Sequence, residues 1–148
     1  MLTVTQAVTA RHSARAFLDR PVPRETIAEI LTVAAHAPSG GNLQPWEVDI
    51  LAGEALGRLK ARVAASLAAN PAGEGTEFHV YPPALGEPWR GRRFASGEQL
   101  YAALGIGRED RPARLRQFAR NFEAFGAPVL LLFSLPREFG PPRCCRPM

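Results

Sequence analysis

The chain has 148 residues, 46% of them hydrophobic and 22% charged, with a formal net charge of +4. That length supports one domain with a core rather than two ordinary ones, and the composition is that of a globular chain, not a disordered one. No run of about 18 apolar residues occurs, so no membrane span is expected. Residues 1–20 are interrupted by Arg11, Arg15, Asp19 and Arg20 and carry no signal-peptide core. A soluble cytoplasmic protein is the expectation.

Thr3 to about Arg11 reads as a short helix with Val4, Ala7 and Val8 on one face. A polar, arginine-rich turn around Phe17 follows. Pro21 and Pro23 punctuate the chain. Ile27, Ile30, Leu31, Ala34 and Ala35 then recur at helical spacing, which predicts an amphipathic helix over residues 24–36. Trp46, Val48 and Ile50 alternate with Glu47 and Asp49, the pattern of a half-buried strand over residues 46–51. Residues 54–69 predict a helix burying Leu56, Leu59, Val63 and Leu67. Residues 70–97 are proline-rich and predict a long loop, functional or mobile. Helical character returns over residues 99–104 and 112–125, the latter with Leu115, Phe118, Phe122 and Phe125 as its apolar positions. The apolar run from Val129 to Leu135 predicts a central strand covered on both faces.

Most of the positive charge is arginine, and Lys60 is the only lysine. The arginines are scattered, so nucleic-acid binding is the weaker reading of that charge. Cys144 and Cys145 are adjacent, which is neither a disulfide framework nor a metal-site spacing, and fits a reducing compartment.

Two segments carry chemistry. Arg11-His12-Ser13-Ala14-Arg15 sets two guanidinium groups and a hydroxyl within five residues, a set able to hold a phosphate dianion. A solvated basic turn would use the same residues. Pro38-Ser39-Gly40-Gly41-Asn42-Leu43-Gln44-Pro45-Trp46 joins a helix to a strand. Its glycines let the backbone approach a flat ligand, while Ser39, Asn42 and Gln44 offer polar groups at the ligand's edge. Pro45 is expected to hold Gln44 extended. An ordinary helix-to-strand loop would read similarly.

Taken in order, the two segments resemble the FMN-dependent nitroreductase family. Tyr101–Ile106 and Arg120–Val129 support the likeness, which runs from about residue 3 to Pro142. The resemblance implies an α+β fold, a central and mostly antiparallel sheet flanked by helices, in an intertwined homodimer with FMN at the interface. It implies that Arg11 and Ser13 hold the FMN phosphate, His12 lies along the ribityl chain, and Arg15 sits near the pyrimidine end of the ring. Pro38, Ser39 and Gly40 would reach the ring from the partner subunit, with Asn42 nearby and Asn121 at the pyrimidine edge. NADH or NADPH would deliver hydride, and a nitroaromatic, quinone or similar electron-poor acceptor would take it in a ping-pong cycle. The cofactor carries such chemistry, so no catalytic side chain and no metal are expected.

Residues 1–142 are read as this flavin-binding domain, and 143–148 as a tail outside the family pattern. The abrupt loss of periodicity after Pro142 suggests a frameshift or premature stop. On that reading the chain would retain FMN weakly or not at all. Two further readings are a non-catalytic remnant of the family and a small arginine-rich nucleic-acid-binding protein. His79 and Tyr81, in the long loop, could line a substrate opening, but loop packing is the preferred reading for both. On the nucleic-acid reading, Trp89 with Arg90, Arg92 and Arg93 would be a stacking patch. A mobile loop over the active site is the preferred assignment for that segment.

Overall fold

Local capping explains where the first helices begin. The computed structural model describes residues 2–71, 75 and 79–139. Helix α1 spans Val4–Ala10. The Thr3 hydroxyl accepts from the Gln6 N–H at 3.2 Å, and the Gln6 side-chain carbonyl accepts from the Thr3 N–H at 2.8 Å. This reciprocal capping box satisfies two otherwise orphaned donors. Val4 and Val8 remain exposed. Helix α2, Arg24–Ala34, starts directly after Pro23, with Glu25 in its first turn. Ile27 is buried, whereas Ile30 on the same predicted stripe is exposed.

Strand β1, Glu47–Ala52, pairs antiparallel with β2, Val129–Ser134, in a register that sets Ile50 opposite Leu131. Helix α3, Gly53–Ala69, follows β1 without a loop and packs on both strands. Leu56 is buried at that contact, and Leu59, Val63 and Leu67 are half-buried, as their spacing predicts. This α+β arrangement, an antiparallel sheet with helices against it, is the fold class expected.

Three expectations change. The loop predicted over residues 70–97 ends early, because helix α4 spans Trp89–Ala103. Its start lacks apolar periodicity and is held locally. Glu87 accepts from the Arg90 Nε at 2.8 Å and from the Gly91 N–H at 3.0 Å. The Trp89–Arg93 segment is therefore helix, not the mobile loop expected. The helix predicted over residues 112–125 is α5, Arg111–Ala119, followed by a tighter 3-10 segment, Arg120–Gly126. Ala124, Phe125 and Gly126 are left-handed there and turn the chain into β2. Leu115, Phe118 and Phe122 are exposed, and Gln117 is the buried residue of α5. Finally, β2 is not covered on both faces. Val129, Leu130 and Leu131 are half-buried, but Leu132 and Phe133 are exposed, even though β1 pairs along the whole strand. Gly140–Pro142 and the tail 143–148 lie outside the described residues.

Among the described residues, Ile27 and Leu56 are the only buried hydrophobic residues, and neither is completely enclosed. The chain's accessible surface is 12806 Å², against about 7,400 Å² for a compact monomer of this mass.

Candidate functional site

The Arg11–Arg15 segment begins where α1 ends. Arg11 itself leaves helical geometry with φ −62° and ψ 129°. Arg11, His12, Ser13 and Arg15 are all exposed. The Arg15 Nη1 donates to the Ser13 carbonyl at 3.2 Å, which folds that guanidinium back along its own backbone. Neither Arg11 nor Arg15 pairs with a carboxylate among the described residues. The His12 Nδ1 lies 3.2 Å from the Ala10 carbonyl. A carbonyl can only accept, so Nδ1 is the donor in that contact.

The second segment is a tight turn closed by its own polar groups. The Asn42 N–H donates to the Ser39 carbonyl at 2.9 Å, and the Leu43 N–H to the Gly40 carbonyl at 3.2 Å. The Gln44 N–H donates to Ser39 Oγ at 2.9 Å, and its side-chain amide to the Ala35 carbonyl at 3.3 Å. These bonds tie the turn to the end of α2. They also overrule the expected extended Gln44, which is left-handed with φ 49° despite the following proline. Gly41 and Asn42 are left-handed too, at φ 59° and 54°. A Cβ built on Gly40 would meet nothing within 4 Å, so its backbone faces open space.

Asn121 follows α5. Its Nδ2 donates to the Phe118 carbonyl at 2.7 Å, and its side chain is exposed. The four non-glycine residues with positive φ among those described are Asn42, Gln44, Ala124 and Phe125. All four fall within the two segments that contain the Ser39–Asn42 and Asn121 candidates.

No hydrogen bond among the described residues joins residues 11–15 to residues 38–42, or either segment to Asn121. An apolar groove of about 460 Å³ flanks the second segment, with Leu31, Ala37, Trp46, Val48 and Phe133 on its walls. Another cavity, beside the first segment, is lined by Ala16, Phe17, Pro21 and Pro128. The donor set fits FMN. Two guanidinium groups without acidic partners and a hydroxyl suit a phosphate, and the open Gly40 backbone and amide side chains suit the edges of a flat heterocycle.

Other residues singled out by sequence have ordinary surroundings. Tyr81 lies beneath the Arg93 guanidinium, 4.3 Å from its ring centre. His36 is exposed at the end of α2. Among the described residues no cluster of acids, histidines and cysteines could hold a metal ion, and no helix is long and apolar enough to cross a membrane. Sequence reasoning missed one cluster, formed by Arg114, Glu98 and Tyr101. Its members are separated by up to sixteen residues, and Glu98 lies just before the stretch 99–104 that the sequence pattern reads as helix.

The family model described as the nitroreductase family matches residues 8–142. The chain belongs to the nitroreductase family. It is 39% identical over 128 residues to a nitrobenzene nitroreductase of Ectopseudomonas oleovorans, covering 86% of this chain and 56% of that one. It is 37% identical to a 4-nitrobenzoate reductase of Pseudomonas putida, covering 86% and 55%. Among solved structures, the FMN and NADPH-dependent nitroreductase NfnB from Sphigopyxis sp. strain HMH superposes with a TM-score of 0.90 at 45% identity, over 96% of this chain and 64% of that one. The FMN-dependent nitroreductase NfnB from Mycobacterium smegmatis, in complex with NADPH, gives 0.80 at 30% identity, over 89% and 59%. This nitroreductase-family chain thus spans little more than half the length of the curated relatives it matches.

Proposed function

We propose that this chain acts in an FMN-dependent NAD(P)H oxidoreductase that reduces nitroaromatic, quinone or similar electron-poor acceptors. The observation that carries the reading is the pair Arg11 and Arg15, exposed and without carboxylate partners among the described residues, in a chain that also presents the open Gly40 turn. The names of its relatives support nitroaromatics as acceptors and NADPH as donor. When bound, FMN would supply the redox chemistry, accepting hydride from the nicotinamide and passing reducing equivalents to the acceptor.

The chain's own residues bind and orient. Arg11 and Ser13 would hold the phosphate by charge-assisted hydrogen bonds, with His12 beside the ribityl hydroxyls. Arg15 would place a cation near the pyrimidine end, where it favours the reduced form. Pro38, Ser39 and Gly40 would bring backbone against the ring, with Asn42 and Asn121 as amide partners at its edges. Left-handed residues cost about 1 kcal/mol or more each and cluster at functional sites, which supports assigning both strained segments to the ligand.

The proposal includes a homodimer working in the cytoplasm. Exposed apolar side chains such as Ile30, Leu132 and Phe133 support association with a second copy. The test follows NADPH oxidation with nitrobenzene, 4-nitrobenzoate and a quinone, with and without added FMN. Consumption that needs both FMN and an acceptor is the expected result. A chain that binds FMN without turnover would instead be a non-catalytic member of the family.

A further inference from the structure

Helices α4 and α5 are joined in an unusual way. Helix α4 contains no buried residue, and α5 buries only Gln117. Apolar packing therefore does little to hold the pair. One guanidinium does far more. The Arg114 Nη1 and Nη2 donate to the two carboxylate oxygens of Glu98 at 2.8 and 3.2 Å. Its Nε donates to the Gly107 carbonyl at 3.1 Å, in the segment between the helices. Its flat face lies 4.1 Å from the ring centre of Tyr101. A single side chain of α5 thus grips a carboxylate and an aromatic ring of α4 and the backbone of the connection.

Other guanidinium contacts repeat the pattern along α4. Arg108 lies over Phe94 at 5.2 Å, and Arg93 reaches Tyr81 on the preceding segment. The charged groups facing the Glu98–Arg114 pair are Arg108 and Glu109, both on the connection. That connection contains Gly105 at φ 67° and Gly107, a place where the backbone can pivot. Elsewhere, α3 and the two strands hold together by apolar contact around Leu56.

We propose that α4 and α5 form an electrostatically latched arm, with Arg114 as the latch, that opens about residues 104–110 while the β1–β2–α3 unit stays folded. A bidentate Arg–carboxylate pair is directional and strong, but this one is partly exposed, with side-chain exposures of 20% and 34%. Solvent ions reach it. The arm therefore responds to ionic strength in a way that the sheet does not. The inference is independent of flavin binding.

Amide hydrogen exchange of the full chain, read by mass spectrometry at low salt and at about 1 M salt, tests it. In the parent protein, exchange in residues 89–103 rises with salt and exchange in β1 and β2 does not. Arg114→Gln raises exchange in residues 89–103 by about tenfold or more at low salt and abolishes the salt response. Glu98→Gln, which keeps the side-chain shape, does the same and decides the matter alone if Arg114→Gln fails to fold. Unchanged α4 exchange in the variants, or a rise in β1 and β2 in step with α4, overturns the latch.

Discussion

The backbone N–H of Gln44 donates to the Ser39 hydroxyl at 2.9 Å and so closes the Gly-Gly turn on itself. One side chain of the turn fixes the backbone of another, and the face of Gly40 stays open. Ser39→Ala removes that bond and leaves the left-handed Gln44 less supported. The expected cost is about 1 kcal/mol of stability, read from denaturant unfolding, together with weaker FMN affinity.

The two glycines of the turn separate strain from ligand approach. Gly41 has φ 59°, and a Cβ there would meet only the Leu43 side chain at 3.8 Å, so space is not the constraint. Gly41→Ala is expected to cost about 1–2 kcal/mol through the backbone alone. Gly40 carries no such φ and has open space. Gly40→Ala should leave the melting temperature nearly unchanged and lower FMN affinity. Equal losses of stability in the two variants would refute this division of roles.

Much of this was readable from residues alone, and the reasons differ by element. Helix α3 was legible because Leu56, Leu59, Val63 and Leu67 are both periodic and covered. The two candidate segments stand out by residue type, guanidinium groups in one and a glycine turn in the other, rather than by any packing pattern. Helix α4 was legible only from residue 99 onward, since its first turns are held by Glu87 and guanidinium contacts rather than by an apolar stripe. Likewise the phenylalanines that suggested one helix to residue 125 cannot reveal the left-handed Ala124 and Phe125. Apolar periodicity predicted burial for Ile30, Leu115 and Phe118, yet all three are exposed in this chain. Periodicity reports that a face is to be covered, not by what.

The Glu98 carboxyl is held below its ordinary pKa, first by the hydrogen bonds from Arg114 and then by the nearby Arg114 and Arg108 charges. A depressed folded-state pKa means stability that is fully present above the unfolded carboxylate value. That stability is lost as pH falls through the lower folded value. Acid unfolding of the parent should therefore be steeper than that of Glu98→Gln, with the two curves converging at low pH. Parallel curves throughout the acid range would rule out this linkage.

Arg11 and Arg15 are exposed and without carboxylate partners among the described residues, so replacing them should not disturb the fold. Their proposed role is entirely toward FMN. The decisive measurement is a fluorescence titration of FMN with the purified chain and with the Arg11→Gln, Arg15→Gln double variant. The account predicts saturable quenching by the parent and at least about tenfold weaker binding by the variant, because each hydrogen bond to a charged group contributes about 1.5–3 kcal/mol. Far-ultraviolet circular dichroism of the two should be the same. Absence of saturable quenching by the folded parent, or equal affinity in the double variant, would contradict the account.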